Sequence, residues 1–468
     1  MTTSNDRTIM DKQNDVVIED ITLSSQYAPE PLSIVRSAMS LSIFEDILSH
    51  FLIGEITIVD GINLIDKYPI VGREFVTITF RTPLYSETKD VTMRIVGQKT
   101  RAKPENGVSD IITFRLVSEA AYVDSITQIS EALEGTNSEL VTDLIDRFYP
   151  SKAEEPLVSD TGSTKYKYVF PFQRPSQMID QMITNSSPSD SQSPDENSGY
   201  VFFESLTKYN FTPVNFLIEQ DPKAIFSNIK ILRTPKTENP NDPRLEFDDR
   251  SAVMLQRING ISSMDRLNQI KVGAFSNVNY FHDLTSKEWG KEEYKHSQDS
   301  DSYVDFDGPK NLNENTKLPQ RKDIVYKDEN LNDNPSVIHF FPQHTNVQGP
   351  DFKKNSTDFD LKRHRVSNMS ILGELQYQIE TTGSSNITVG DTLFLRLLKN
   401  VSNTEMKNQG EFDEEKSGVY LIKSIQHFFS LGDRQSQTYK TAMRVIRNYR
   451  VNEITSQSYS QFEGVSNA

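Results

Sequence analysis

The sequence predicts an α+β protein that is mainly β, with two β-rich domains, an inserted α/β middle domain and long polar loops. Three observations predict this class. Segments in which apolar residues alternate with period two lie towards both ends of the chain, as in strands with one buried face. Between them, apolar residues recur at helical spacing after capping residues. Two further stretches, rich in polar residues and Pro, cannot build a core.

The composition is that of a folded chain with extensive polar loops. Of its 468 residues, 35% are hydrophobic, and the mean hydropathy of -0.55 is low. Aromatic residues nevertheless make up 10% of the chain, a share that disordered chains rarely reach. We therefore expect two to four domains, on the order of 100–200 residues each.

Charge and cysteine content exclude several classes of function. The chain has 50 Lys and Arg against 66 Asp and Glu, a net charge of -16, which repels nucleic acid and anionic membranes. A sequence-reading DNA binder is disfavoured, whereas a passage through which DNA slides would benefit from this sign. The absence of cysteine excludes disulfides and thiolate zinc sites. The polar N-terminus and the lack of a long apolar run predict a soluble protein made in the cytoplasm.

The first β-rich domain is predicted over residues 18–121, after a flexible arm at 1–17. Val76, Ile78 and Phe80 alternate with polar residues and predict a strand. Several such strands within about 100 residues, separated by turn residues, suggest a barrel or a sandwich. The same alternation recurs at Val91, Met93 and Ile95, and at Ile112, Phe114 and Leu116.

The middle domain is predicted over residues 122–250, because helical spacing begins near Tyr122. Asp124 or Ser125 can cap a helix that runs through Ile126 to Leu133 and stops at Gly135. Polar stretches at 186–198 and 234–250 are predicted loops. The other elements are a helix from Asn137 to Phe148, a helix from Pro175, and a hairpin of Gly199–Glu204 and Tyr209–Pro213.

The second β-rich domain is predicted to be discontinuous, from residues 251–289 and 371–452. Alternating segments define four strands in its C-terminal part, and a short helix and a strand lie in its N-terminal part. Residues 290–370 form an inserted polar segment, with an acidic, Asn-rich excursion at 290–335 and a charged helix at Phe359–Ser370. Residues 453–468 form a polar tail.

No catalytic, cofactor-binding or metal-binding residue is predicted. Three histidines of one region could meet at a metal ion, although loop or surface positions are favoured for them: His339, His344 and His364. A carboxylate cluster has calcium-like ligands but not the spacing of an EF-hand, which favours a solvated acidic loop: Asp299, Asp301, Asp305, Asp307 and Gly308.

Other chemistry-bearing features favour ordinary structural roles. Phosphate-binding glycine loops, the nucleophile elbow of hydrolases and the His-x-x-x-His zinc pair do not occur in the sequence. Trp289, the only tryptophan, is expected in core or interface packing. Basic residues at Lys353–Lys354 and Lys362–Arg365 are expected on a solvated helix face, with contact to an acidic neighbour as the alternative.

Three stretches resemble the baseplate hub proteins of contractile-tailed bacteriophages and, more distantly, the spike-base modules of contractile injection systems. The first is Leu41–Pro83, with Ile43, Phe44 and Asp46 before a strand that ends at Asp60. The second is Gln173–Glu204, where a helix and a Ser-rich loop lead to Gly199-Tyr200-Val201-Phe202-Phe203-Glu204. The third is Ile387–Asn448, with Val389-Gly390-Asp391, Gly418-Val419-Tyr420-Leu421-Ile422, Ile425-Gln426-His427 and Tyr439.

The resemblance implies a structural role in the virion without catalysis. It implies that the two β-rich domains are tail-tube-like β-barrels and that the chain forms a homotrimer with pseudo-sixfold symmetry. Such a ring adapts a sixfold tail tube to a threefold central spike. The implied partners are the spike protein, the tail tube or its initiator, and the baseplate wedge proteins. Genomic DNA would pass through the lumen without specific binding.

Two other classes of function stay open from the sequence. One is a receptor-binding or glycan-binding virion protein, for which Tyr303, Phe306 and Phe352 are the weak indications. The other is a virion-associated peptidoglycan hydrolase with a site in residues 290–370. Lysis in a zymogram of the purified protein would identify the hydrolase.

Overall fold

The computed structural model describes residues 14, 16–61, 63–64, 68, 70–82, 88–103, 107, 109–163, 165–186, 199–227, 252–263, 266–273, 276–283, 287–295, 325–326, 329–330, 336–343, 373, 375–397, 413, 416–432 and 437–447. Within these residues, no helix is long and apolar enough to cross a membrane.

The N-terminal half-sheet consists of seven strands whose inward side chains alternate with polar ones, as the sequence predicts for β5, β6 and β7. Hydrogen bonding connects them in the order β3-β4-β7-β6-β5-β1-β2. The strands are β1 (Val17–Ser24), β2 (Leu32–Ser33), β3 (Ala38–Asp46), β4 (Ile53–Asp60), β5 (Phe75–Arg81), β6 (Lys89–Ala102) and β7 (Asp110–Val117). Val76, Ile78 and Phe80 of β5 lie in the core of this half-sheet.

The middle segment packs helices and short strands around an aromatic-rich core. The helices Asn137–Phe148 and Pro175–Asn185 lie where the sequence predicts them. The helices are α1 (Glu119–Ile126), α2 (Asn137–Phe148), α3 (Pro175–Asn185) and α4 (Val214–Ile218). The strands are β8 (Ile129–Gly135), β9 (Leu157–Val158), β10 (Tyr166–Gln173), β11 (Tyr200–Glu204) and β12 (Tyr209–Pro213), and β11 and β12 form the predicted hairpin.

The predicted helix from Ile126 to Leu133 is wrong. Helix α1 begins earlier, because the hydroxyl of Ser118 accepts a hydrogen bond from the backbone N–H of Ala121 at 3.2 Å. The following residues form strand β8, which pairs antiparallel with β10 in a register that places Leu133 opposite Tyr168. Pairing with a strand later in the chain therefore outweighs the local helical spacing.

The C-terminal half-sheet continues the sheet of the N-terminal half. Strand β23 pairs with β24 along one edge, and its other edge pairs first with β22 and then with β3. Strand β24 pairs with β21, which pairs with β15, and β13 lies between β22 and β14. The strands are β13 (Ile225–Ser227), β14 (Ala252–Met254), β15 (Arg257–Ser263), β21 (Leu375–Thr382), β22 (Thr392–Arg396), β23 (Gly418–Ser430) and β24 (Thr438–Arg447).

A separate three-stranded sheet lies between β15 and β21 in sequence, after the short helix α5 (Arg266–Lys271). Its central strand is β16 (Ser276–Asp283), which pairs antiparallel with β17 (Glu288–Lys295) and parallel with β20 (Val337–Gln343). The predicted irregular excursion at 290–335 is therefore wrong for residues 290–295, which belong to β17. Strands β18 (Val325–Tyr326) and β19 (Glu329–Asn330) form a two-stranded pair.

Several predicted segments lie outside the described residues. These are residues 1–13 of the predicted arm at 1–17, most of the loop at 186–198, the loop at 234–250, residues 296–324 of the excursion at 290–335, the helix at Phe359–Ser370 and the tail at 453–468.

Candidate functional site

The three stretches that carry the sequence resemblance meet at one buried apolar cluster, which we call the junction. Ile47 comes from the first stretch, Val201 and Phe203 from the second, and Val389 and Leu421 from the third. All five side chains are buried. The residues that give the sequence its recognisable pattern thus lie where the N-terminal half-sheet, the middle segment and the C-terminal half-sheet contact one another.

Strands β3 and β23 join the two half-sheets through seven paired residues, from Asp46 opposite Ser424 to Ser40 opposite Ser430. The inward side chains of this pair include two ionisable groups, Glu45 and His427, which are 1% exposed each. The His427 Nε2 lies 2.7 Å from the Glu45 Oε1. The backbone N–H of Val389 donates to the Glu45 Oε2 at 3.4 Å, which ties a third segment to the same carboxylate.

The His427 ring also contacts a second buried group. Its Nδ1 lies 2.7 Å from the Tyr439 oxygen. Burial raises the pKa of the Tyr439 hydroxyl, which donates a hydrogen bond to the Ser384 carbonyl at 2.9 Å. His427 thus links Glu45 of β3 to Tyr439 of β24.

Aromatic stacking extends this contact into the core of the N-terminal half-sheet. The rings of Phe429 and Tyr439 stack with centroids 4.4 Å apart and planes 6° apart. Phe80 of β5 meets Phe429 edge to face at 4.8 Å and Tyr439 at 5.7 Å. Such pairs contribute roughly 0.5–1.5 kcal/mol beyond their buried area. Strands β23 and β24 therefore fill part of the N-terminal core as well as extending its sheet.

The turn between β3 and β4 anchors the middle segment. The Glu204 backbone N–H donates to the His50 carbonyl at 2.9 Å, and the Leu52 N–H donates to the Glu204 carboxylate at 3.0 Å. The Ser118 hydroxyl also donates to this carboxylate, and Lys152 pairs with it at 2.6 Å. Because Glu204 is buried, this set of partners satisfies a charge that would otherwise be costly.

The Phe51 ring adds apolar contact to the same anchor. Phe51 lies on the turn between β3 and β4, and its ring meets Tyr149 at 5.4 Å and Phe202 at 6.4 Å. It is half-buried against the core of the middle segment. The turn therefore holds the middle segment by both polar and aromatic contacts.

The turn before β22 supplies the third tie of the junction. The Asp391 carboxylate accepts from the Thr388 N–H at 2.9 Å and pairs with Lys223 at 2.8 Å. Burial raises the pKa of the Asp391 carboxyl, against the opposing effects of Lys223 and Thr388. Gly390 has a φ of +86°, and a Cβ there would lie 2.8 Å from the Phe203 ring. Only glycine lets the turn approach the middle segment this closely.

The contacts around the junction are structural. The carboxylates of Glu45, Glu204 and Asp391 each bond to a protein partner from another segment, an arrangement that fixes the segments relative to one another. Within the described ranges, no group of three or more His, Asp and Glu side chains is positioned to hold a metal ion.

The structure does not assemble the candidate residues named from the sequence. His339 lies in β20, whereas His344 and His364 lie outside the described residues. The other candidates also lie outside them: Asp299, Asp301, Asp305, Asp307, Gly308, Tyr303, Phe306, Phe352, Lys353–Lys354 and Lys362–Arg365. Trp289 lies in β17 with 61% of its surface exposed, so it is not a core residue of the chain.

Sequence reasoning missed Glu45, Glu204 and His427 as members of one site. A signal for His427 was present, because it alternates with Ile425 and Phe429 and so occupies an inward position of β23. Its partner Glu45 precedes it by 382 residues, a distance over which no local pattern acts.

Comparison with known proteins supports the fold. No protein-family model and no curated protein matches the chain. The tail protein from Neisseria meningitidis MC58 is matched with a TM-score of 0.50 at 10% identity, over 92% of this chain and 96% of that one. The 43 kDa tail protein of prophage MuSo2 from Shewanella oneidensis is matched with a TM-score of 0.48 at 8% identity, over 92% and 98%. Prophage tail protein gp18 from Listeria monocytogenes EGD-e is matched with a TM-score of 0.41 at 9% identity, over 96% and 100%. The resemblance predicted from the sequence is thus confirmed as a likeness in fold to a tail protein.

Proposed function

We propose that this chain is a structural component of a phage tail baseplate, the trimeric hub between the tail tube and the central spike. The observation that carries the proposal is the pairing of β3 with β23, which makes one continuous sheet from both half-sheets. One chain then offers two β-rich domains side by side, and a threefold ring of chains offers six. The likeness in fold to a tail protein supports the same role.

In the proposed ring, the chain has a mechanical role, which is to transmit force. Load that arises during tail contraction passes between the half-sheets through the junction, where hydrogen bonds, stacked rings and strand pairing act together. This requires no bond chemistry, and the proposal assigns no enzymatic activity to the chain. The proposed location is the tail baseplate of the virion, with the spike protein, the tube or its initiator and the wedge proteins as neighbours.

The proposed passage for DNA runs along the outward face of the continuous sheet. Hydroxyl and amide groups dominate parts of this face, as in the contacts between Thr57 and Thr113 at 3.1 Å and between Gln426 and Ser42 at 3.4 Å. Lys99 is paired with Glu55 in the same sheet. A face rich in hydroxyl and amide groups, on a chain of net charge -16, disfavours tight binding of phosphate groups.

The mass of the purified protein in solution tests the proposal. We expect light scattering after gel filtration to give the mass of three 53.4 kDa chains, for the protein alone or after addition of its spike partner. Images of that particle should show a threefold ring with a central hole. A monomer under both conditions would overturn the trimeric hub.

A second candidate function, glycan or receptor binding, is favoured by an exposed aromatic face on the sheet of β16, β17 and β20. The Trp289 ring lies 5.3 Å from Tyr280 and 5.9 Å from Phe340. Trp289 and Phe340 are 61% and 55% exposed, which is unusual for large aromatic side chains outside a contact surface. Quenching of tryptophan fluorescence by soluble cell-wall glycan fragments would support this function.

A further inference from the structure

A cleft of about 520 Å³ opens on the outward face of the continuous sheet, where the two half-sheets meet. Its floor is formed by β3, β21, β23 and β24, and its wall by the turn between β3 and β4. The volume is within the range of roughly 300–1,000 Å³ that is typical of ligand sites. The contacts of the junction do not depend on this cleft, so the residues that line it are available for a separate function.

Two cationic side chains line this cleft, those of Lys423 and Arg444. Among the residues that the structure describes, neither has an ion-pair partner. Two other cations of the same sheet are paired, Arg94 with Glu119 at 2.7 Å and Arg101 with Asp110 at 2.6 Å. Charged groups left available in a cleft indicate a site for an anionic ligand.

A β-bulge places Lys423 in the cleft. Ile422 is opposite Val445 and Ser424 is opposite Arg444, so Lys423 is the extra residue of β23. Its carbonyl accepts a hydrogen bond from the Ile47 N–H at 3.0 Å, which holds the bulge against the end of β3. Lys423 and Ser424, neighbours in sequence, both line the cleft as a result. Bulges that redirect a side chain in this way are frequent next to functional sites.

The wall of the cleft is apolar. Leu48 and Ile53 line it with more than half of their surfaces exposed, and Phe44 and Phe51 lie beside them. Exposed apolar groups next to available cations suit a ligand that has a carboxylate close to a large apolar side chain. The Asp46 carboxylate lines the same cleft and disfavours a continuous run of phosphates.

We propose that this cleft binds an extended acidic segment of a partner protein. A carboxylate of the segment pairs with Lys423 and Arg444, and an adjacent aromatic or aliphatic side chain packs on Phe44 and Leu48. The hydroxyl of Ser424, which also lines the cleft, provides a further donor. This site is independent of the proposed ring and exists in a single chain.

Peptide binding to the full-length protein tests the site. The probes are fluorescein-labelled octapeptides in which Glu alternates with Leu or Phe, and matched peptides in which Gln replaces Glu. By fluorescence anisotropy, we expect the acidic peptides to bind and the Gln peptides to bind at least about tenfold more weakly, because charge-assisted hydrogen bonds are lost. The variants are Arg444→Gln and Lys423→Gln with Arg444→Gln, each expected to weaken binding about tenfold or more.

The matched control is Arg115→Gln, which removes an exposed arginine of β7 that does not line the cleft. It should change binding less than about twofold. Arg444 is itself exposed, so the single variant keeps the test valid if the double variant fails to fold. Equal binding of acidic and Gln peptides, no binding of any peptide, or equal losses with Arg115→Gln would each overturn the proposal. A single-stranded oligonucleotide that binds the wild-type protein and not Arg444→Gln would overturn it in favour of nucleic acid.

Discussion

His427 and Glu45 face each other at 2.7 Å across the strand pair that joins the two half-sheets, and both side chains are buried. The other ring nitrogen of His427 lies 2.7 Å from the Tyr439 oxygen, so the pair belongs to a buried hydrogen-bond network. It lies at the point where the sheet passes from one half to the other, so its loss should affect both halves.

Glu45→Gln should be strongly destabilising. Removal of one member of a buried, hydrogen-bonded charge pair costs roughly 3–5 kcal/mol, because the other member is left without compensation. We expect the free energy of unfolding in urea to fall by about that amount. Asp180→Asn is the matched control, since it removes a half-exposed carboxylate 2.9 Å from His50 and should cost less than about 1 kcal/mol. Equal effects of the two variants would contradict the buried network.

Gly390→Ala should destabilise the protein more than Gly72→Ala. Both glycines have a positive φ, +86° and +89°, so both variants bear the left-handed backbone cost of roughly 1–2 kcal/mol. Only at Gly390 would the new Cβ collide with the Phe203 ring, which adds roughly 1–3 kcal/mol. Urea unfolding of the two variants measures the difference. If Gly72→Ala proves as costly as Gly390→Ala, the close packing of this turn on the middle segment is wrong.

Asp391→Asn should become more stable relative to the wild type as pH rises from about 4 to about 7. Burial raises the pKa of Asp391 above 3.8, so the folded state holds this proton more tightly than the unfolded state. The stability that this proton contributes to the wild-type protein is complete below the pKa of Asp391 in the unfolded state. It is lost as pH rises through the pKa of Asp391 in the folded state. Asparagine does not titrate, so the difference in unfolding free energy between the variant and the wild type at each pH measures the contribution of the Asp391 carboxyl alone.

A second variant checks the cause of this pH dependence. Lys223 lowers the pKa of Asp391 and partly opposes the effect of burial. Lys223→Met should therefore raise the pKa further and steepen the loss of stability with rising pH. A difference between Asp391→Asn and the wild type that moves in the opposite direction would show that the salt bridge, rather than burial, dominates.

The parts of the fold that the sequence predicted are those specified by local chemistry. Helix α2 combines apolar spacing with a capping box, in which Thr136 and Glu139 satisfy each other's backbone N–H groups. Strand β5 has an unbroken alternation of apolar and polar residues. In both elements the local pattern and the tertiary contacts favour the same structure, which is why the sequence alone was sufficient.

The parts that it missed depend on distant partners. In β3, the buried and polar Glu45 occupies an inward position, which interrupts the alternation of apolar and polar residues along the strand. The contact of Glu45 with His427 explains why a polar residue occupies this inward position. Strand β8 was mistaken for a helix because its pairing with β10 has no local signature. The candidate site was therefore beyond sequence reasoning, even though its residues lie in the stretches that carried the resemblance.

Trp289 provides a spectroscopic check on the sheet of β16, β17 and β20. It is the only tryptophan of the chain, so intrinsic fluorescence reports on this face alone. With 61% of its surface exposed, it should emit as an indole in water does and be quenched by acrylamide nearly as readily as free tryptophan. Phe340→Ala should leave this emission almost unchanged, since the ring centroids are 5.9 Å apart and the indole is already solvated. Emission typical of a buried indole in the isolated protein would contradict the exposed face. Protection that appears only when a spike protein or a glycan is added would identify the face as the contact surface for that ligand.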